Sequence, residues 1–245
     1  MREPLGVDLQ PKRSVGQLLR ITAALYRRYP VLFFLLAFAV VAPYDLAVLA
    51  AGYGPLARLA RHSQAIYWAN LAARIGLVNS LIGALHIHAV AMAGTGERPR
   101  LKPVAQRGLA VLPVVGAVSV LTFLGAAAGL LIFVIPGVLL WLGWAIAPQT
   151  AAVEDAGVFA AMRRSRELAR GSYRHMLGVG IVLAVVAVGV IEPARAIPLG
   201  STSGVASVSV GVVLETVVSS FSALVTALLY FDLKARSRVR DATLA

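Results

Sequence analysis

The chain has 245 residues, 59% of them hydrophobic and only 14% charged, with a formal net charge of +12 and no cysteine. Soluble domains carry about 25% charged residues, so this much apolar surface points to a bilayer as the solvent. Lack of cysteine excludes disulfides, thiol catalysis and Cys-ligated zinc or iron–sulfur sites, and basic residues spread in short blocks between apolar runs set nucleic acid aside as a partner.

The opening "MREPLGVDLQPKRSVGQLLR" is polar for too long to be a signal peptide, so the first apolar run is expected to stay as an anchor. Residues 1–28 read as a cytoplasmic or interfacial segment. Ser14 and Gln17 have capping-box spacing at the start of a helix. Val15, Leu18, Leu19, Thr22, Leu25, Tyr26 and Tyr29 then fall on one side, with Arg13, Arg20, Arg27 and Arg28 placed to meet anionic headgroups. A helix lying in the interface and a cytoplasmic extension of the first span both fit this pattern.

Residues 29–232 read as a six-span transmembrane domain, since about 20 apolar residues suffice for each crossing. Residues 29–51 form the first span, with Asp45 its only charge. Residues 67–93, broken by Arg74, form the second. The charge-free stretch between Arg107 and Glu154 holds two spans joined by a tight turn near "FVIPG", with Pro136 and Gly137. Residues 176–198 and 206–230 supply the last two. The expected fold is all-α, a polytopic helix bundle with short cytoplasmic amphipathic helices. Continuous apolar runs without alternation argue against a β-barrel.

Lys and Arg sort by loop. The segment before the first span, the loop at residues 98–107, the loop at residues 163–174 and the tail at residues 233–245 are all basic. The alternate loops hold only Arg58, Arg61 and Arg195. This places both termini in the cytoplasm of a prokaryotic cell, with the protein in the plasma membrane and anionic headgroups against its basic side.

"MRRSRELARG" reads as a cytoplasmic basic helix over residues 156–171, capped by Asp155 and ended by Gly171. Glu167 has the spacing to pair with Arg163, Arg164 or Arg170. The block is expected to fix topology and face headgroups through Arg163, Arg164, Ser165 and Arg170, with Glu154 bracing it.

Around these residues, "GVLLWLGWAIAPQTAAVEDAGVFAAMRRSRELARGSYRHMLGV" resembles the membrane domain attached to some glycerophosphoryl diester phosphodiesterases, a family with many stand-alone members. Glu154, Ala161, Arg164, Ser165, Leu168, Arg170 and Gly171 carry the likeness, and Arg166 departs from it where an aromatic residue is expected. The opening "SVGQLLRITAALYRRYPVLFFLLA" and the closing "LLYFDLKARSR" are similar to the family's first and last segments. The resemblance implies no diesterase activity, because hydrolysis there belongs to a separate soluble barrel.

No catalytic, metal or cofactor site is expected. His86 and His88 are two apart, which points them to opposite sides of a helix and suits packing better than metal binding. No His-Glu-x-x-His, Gly-x-Ser-x-Gly or P-loop spacing occurs. The ionisable residues within the spans carry more information. At about 1.5 Å per residue, Asp45 and Glu215 lie about 24 Å from the cytoplasmic ends of their helices and Glu192 about 27 Å, with Arg74 and Arg195 slightly deeper. These five form either one extracytoplasmic polar cluster or separate interfacial charges with a local Glu192–Arg195 pair. Glu215 is singled out because no cation is near it in sequence. Pro43 and Pro193 lie beside Asp45 and Glu192, where a freed carbonyl and a bend would suit a cavity. Gly125 and Gly129 allow close helix approach, within the chain or in a homo-oligomer.

Two function classes follow. One is a non-enzymatic multi-pass protein that assists or organises membrane, lipid or envelope processes. The alternative is a small transporter or channel that uses the outer polar cluster.

Overall fold

The computed structural model describes residues 8–51, 64–196 and 204–244. The regular elements within them are all helical: α1 (Val15–Arg28), α2 (Pro30–Ala50), α3 (Gln64–Ala73), a π turn (Arg74–Val78), α4 (Asn79–Gly94), α5 (Leu101–Ile132), α6 (Val134–Trp144), α7 (Ala147–Glu154), α8 (Val158–Ala169), α9 (Tyr173–Ala196) and α10 (Gly204–Leu244). Four stretches are long and apolar enough to cross a membrane: Pro30–Ala50, Leu101–Ile132, Val134–Glu154 and Ser209–Ala242. The other two expected spans fall on α3–α4, which the π turn interrupts, and on α9, whose described apolar part is Tyr173–Val186, and neither is among these four.

The capping box opens α1 as its spacing predicts. The Gln17 backbone N–H donates to Ser14 Oγ at 3.3 Å, and the Ser14 N–H donates to Gln17 Oε1 at 2.8 Å. Tyr29 then leaves helical geometry (φ −130°, ψ 52°). It precedes Pro30, whose ring disfavours the α region at the residue before it while suiting the first turn of the next helix. So α1 is a helix in its own right. Its face of Leu18, Thr22 and Leu25 is buried in the bundle, largely against α10. Arg13, expected at the headgroups, is buried instead, because its backbone is clamped by the last helix.

A single extended residue, Phe133 (φ −156°, ψ 140°), separates α5 from α6. The Phe133 N–H donates to the Gly129 carbonyl at 3.0 Å, and the Gly137 N–H to the Phe133 carbonyl at 3.1 Å. Pro136 brings no N–H that would need a partner, which suits an apolar turn. The turn therefore falls at Phe133, the first residue of the "FVIPG" stretch where it is expected, with Pro136 and Gly137 in the first turn of α6. Gly137 serves the close crossing: a Cβ there would lie 2.5 Å from the Leu130 nitrogen. Gly125 and Gly129 face Trp144 and Gly137, so both pack within this hairpin.

Asp155 does not cap the basic helix. It adopts the left-handed conformation (φ 47°) that ends α7, a conformation Asp tolerates better than most residues. Gly157 opens α8 instead, and Gly171 (φ 75°) follows its end as expected.

The bundle has two unlike halves. Around the basic end, Leu18, Ile87, Ile146, Leu168, Leu228 and Leu233 are fully buried in one core. Towards the other end, large apolar side chains stay uncovered, among them Leu131 at 88% exposure and Ile135 at 75%. A surface of that kind is stable against acyl chains and costly against water.

Candidate functional site

The structure gathers charge at two places. The first lies inside the bundle where α2, the π turn and α10 meet. The Arg74 guanidinium is ion-paired with both Asp45 and Glu215. The three side chains retain 12%, 13% and 22% exposure, so little water reaches them. Arg74 also lies over the Tyr44 ring, 5.2 Å from its centroid, and the Tyr44 hydroxyl donates to Asn70 Oδ1 one turn before the π turn. The π turn begins at Arg74 itself, and its extra residue re-aims the side chains that follow.

Of the five residues expected to cluster here, Asp45, Arg74 and Glu215 come together. Glu192 and Arg195 lie on the backbone of α9, and their side chains fall outside the described residues. The cation that Glu215 lacked in sequence comes from a distant helix. Sequence reasoning missed Tyr44 and Asn70, and the only signal for Tyr44 was an aromatic beside an intramembrane acid.

A fully buried polar seam joins the same helices one step closer to the basic end. His86 Nδ1 lies 2.8 Å from the Ile82 carbonyl, and Nε2 lies 2.9 Å from Ser220 Oγ. Ser220 Oγ is also 3.0 Å from the Phe33 carbonyl, and the His86 ring stacks on Phe33. This is the packing role expected for His86. It ties α2, α4 and α10 together where no water could satisfy these groups.

The second cluster sits at the basic end. Glu154, at the end of α7, accepts hydrogen bonds from the Tyr230 hydroxyl (2.7 Å) and Lys234 Nζ (3.0 Å), and its second oxygen lies 3.3 Å from Arg164 Nε. Arg164 also reaches Glu167 at 3.2 Å. Partial burial works against the Arg164 charge, but Glu167 and Glu154 outweigh it and raise the pKa above its ordinary value. Arg240 donates to the carbonyls of Glu167 and Arg170, satisfying the open end of α8. Deeper in, fully buried Asp232 accepts from the Arg13 N–H and from Arg236 Nε (2.7 Å), with His175 Nε2 at 3.1 Å. Arg236 closes the loop by donating to the Arg13 carbonyl at 2.6 Å. Sequence reasoning passed over Asp232. Its signal was an acid at the head of a basic segment with Arg236 four residues on.

The residues expected to face headgroups divide. Ser165 is fully buried and donates to the Gly143 carbonyl at 2.8 Å, so it is a helix-packing contact and does not face outward. Arg164 is held between two carboxylates. Arg163 and Arg170 are exposed. Arg166 lies over the Trp144 ring, 4.6 Å from its centroid, a cation–π contact that holds the guanidinium against α6.

No family model, no curated protein and no solved structure matches the chain.

Proposed function

We propose that this chain is a non-enzymatic, six-span plasma-membrane protein with both termini in the cytoplasm, and that it organises lipid or envelope components at the cytoplasmic leaflet. The observation that carries this reading is the arginine-rich α8. Its buried side is locked to α6 and α7 through Ser165 and Arg164, while Arg163 and Arg170 project outward. A basic segment held rigid at a membrane surface attracts anionic headgroups, each cation contributing about 1 kcal/mol. Reporter fusions at residues 100, 172 and the C-terminus are expected to report cytoplasm, and fusions near residues 60 and 200 the opposite side. An extracytoplasmic signal at residue 172 overturns the orientation and the leaflet assignment with it.

The transport alternative has its own observation. Arg74 with its two carboxylates lies in a helix that carries a π turn at that residue, and such turns are frequent at functional sites. Solute uptake by the purified chain in liposomes, abolished by Arg74→Gln, would favour this reading over the first.

A further inference from the structure

The outer side of α8 forms one wall of a groove of about 810 Å³, with α5 and α6 supplying the rest. Its apolar surface comes from Leu121, Leu124 and Phe159, and Phe159 is left 80% exposed. Its other edge carries Arg163, Arg166 and Arg170. None of these three guanidinium groups has an ion-pair partner among the described residues. The groove's one acid, Glu167, is already engaged by Arg164. Arg166 is fixed over Trp144, so one of the three cations is preorganised at the edge.

Neighbouring cations without counter-charge call for an anion, and exposed leucine and phenylalanine call for hydrocarbon. An anionic phospholipid supplies both in one molecule. We infer that this groove binds one anionic phospholipid, its phosphate held by Arg163, Arg166 and Arg170 and one acyl chain laid along Leu121, Leu124 and Phe159. A free anion would leave the apolar wall uncovered, and a neutral lipid would leave the arginines without a counter-charge. The inference rests on the membrane reading above and adds to it a defined ligand class and a site.

Native mass spectrometry of the full chain in detergent tests it, with phosphatidylglycerol and phosphatidylcholine of matched chain length added in equal amounts. The wild type is expected to retain one phosphatidylglycerol with a preference of about tenfold or more, as several surface arginines would give. The triple change Arg163→Gln, Arg166→Gln and Arg170→Gln is expected to abolish that preference. Leu124→Trp, at an exposed position, intrudes on the apolar wall with every arginine intact and is expected to weaken retention severalfold. Circular dichroism of each variant checks that it is folded, and Arg163→Glu alone serves if the triple variant is not.

Equal retention of both lipids overturns the inference. So does full phosphatidylglycerol retention by Leu124→Trp, which would reduce the effect to headgroup attraction. Displacement of the lipid by inorganic phosphate alone overturns the acyl-chain assignment. Failure here with residue 172 reporting cytoplasm rejects the groove only, whereas the opposite report at residue 172 rejects the membrane orientation whatever the lipid result.

Discussion

Arg74 and Glu215 are ion-paired inside the bundle, and Arg74 keeps Asp45 as a second carboxylate partner. One cation thus serves two acids, and among the described residues it is the cation paired with both. This arrangement sets the pattern of mutational response. Glu215→Gln leaves Arg74 paired with Asp45, and Asp45→Asn leaves it paired with Glu215. Each single change is expected to cost about 1–2 kcal/mol, the loss of one charged hydrogen bond. The double change strands a buried guanidinium and is expected to cost about 3–5 kcal/mol, more than the sum of the singles. Thermal unfolding in detergent of the four proteins measures this. Additive singles would show that the acids act independently and that Arg74 is not shared.

Ser165 and Arg163 are neighbours on one short helix with opposite environments. Ser165 is fully buried on the Gly143 carbonyl, and Arg163 is exposed. Ser165→Val removes the donor and forces larger bulk against α6, so it is expected to destabilise by about 1–3 kcal/mol. Arg163→Gln is expected to stay within about 0.5 kcal/mol, as surface changes do. Melting curves of the two variants decide between this packing and the outward-facing Ser165 that the sequence suggests.

The α5–α6 crossing makes a similar contrast among glycines. A Cβ at Gly137 would lie 2.5 Å from a backbone nitrogen, which is not able to swing away as a side chain can. Gly137→Ala is therefore expected to pry the hairpin open at a cost of about 1–3 kcal/mol. Gly157 has open space around it and an ordinary extended backbone. Gly157→Ala meets no clash and is expected to cost less than about 1 kcal/mol, the loss of a better N-cap residue. Equal melting temperatures for the two variants would remove the close crossing.

Much of the helix layout is legible in the sequence because it depends on local chemistry. Ser14 and Gln17 fix the start of α1, Pro30 separates it from α2, and Gly171 ends α8, each through contacts only a few residues apart. The misread positions depend on distant partners. Arg13 looked like a headgroup contact because nothing nearby would bury it, yet Asp232 and Arg236 do so from the far end of the chain. Ser165 follows the same logic through Gly143. Asp155 was read forward as a cap when its left-handed backbone closes the helix behind it. For the polar cluster, depth counting placed Asp45, Arg74 and Glu215 at one level, but helix rotation decides which of them meet. Hydropathy periods are silent on rotation when a helix is apolar all round.

Glu154 offers the sharpest test of how the basic end is held. Its carboxylate meets a fully buried tyrosine on one oxygen and a 40%-exposed arginine on the other. Solvent screens the arginine contact, so the coupling between Glu154→Gln and Arg164→Gln is expected to be only a few tenths of a kcal/mol. The Tyr230 ring is fully buried and its hydroxyl donates to the carboxylate at 2.7 Å, a charged hydrogen bond that Glu154→Gln weakens to a neutral one, so the coupling between Glu154→Gln and Tyr230→Phe is expected to reach about 1 kcal/mol. Arg164 keeps its charge throughout the working pH range, because its raised pKa moves deprotonation further into strong alkali. Stability from this contact is therefore present at all lower pH values as far as the arginine is concerned, and acid titration of the contact reads the carboxylate alone. Double-mutant cycles on purified protein measure both couplings. A larger coupling to Arg164 than to Tyr230 would mean that the exposed ion pair, and not the buried phenol, anchors α7 to α10.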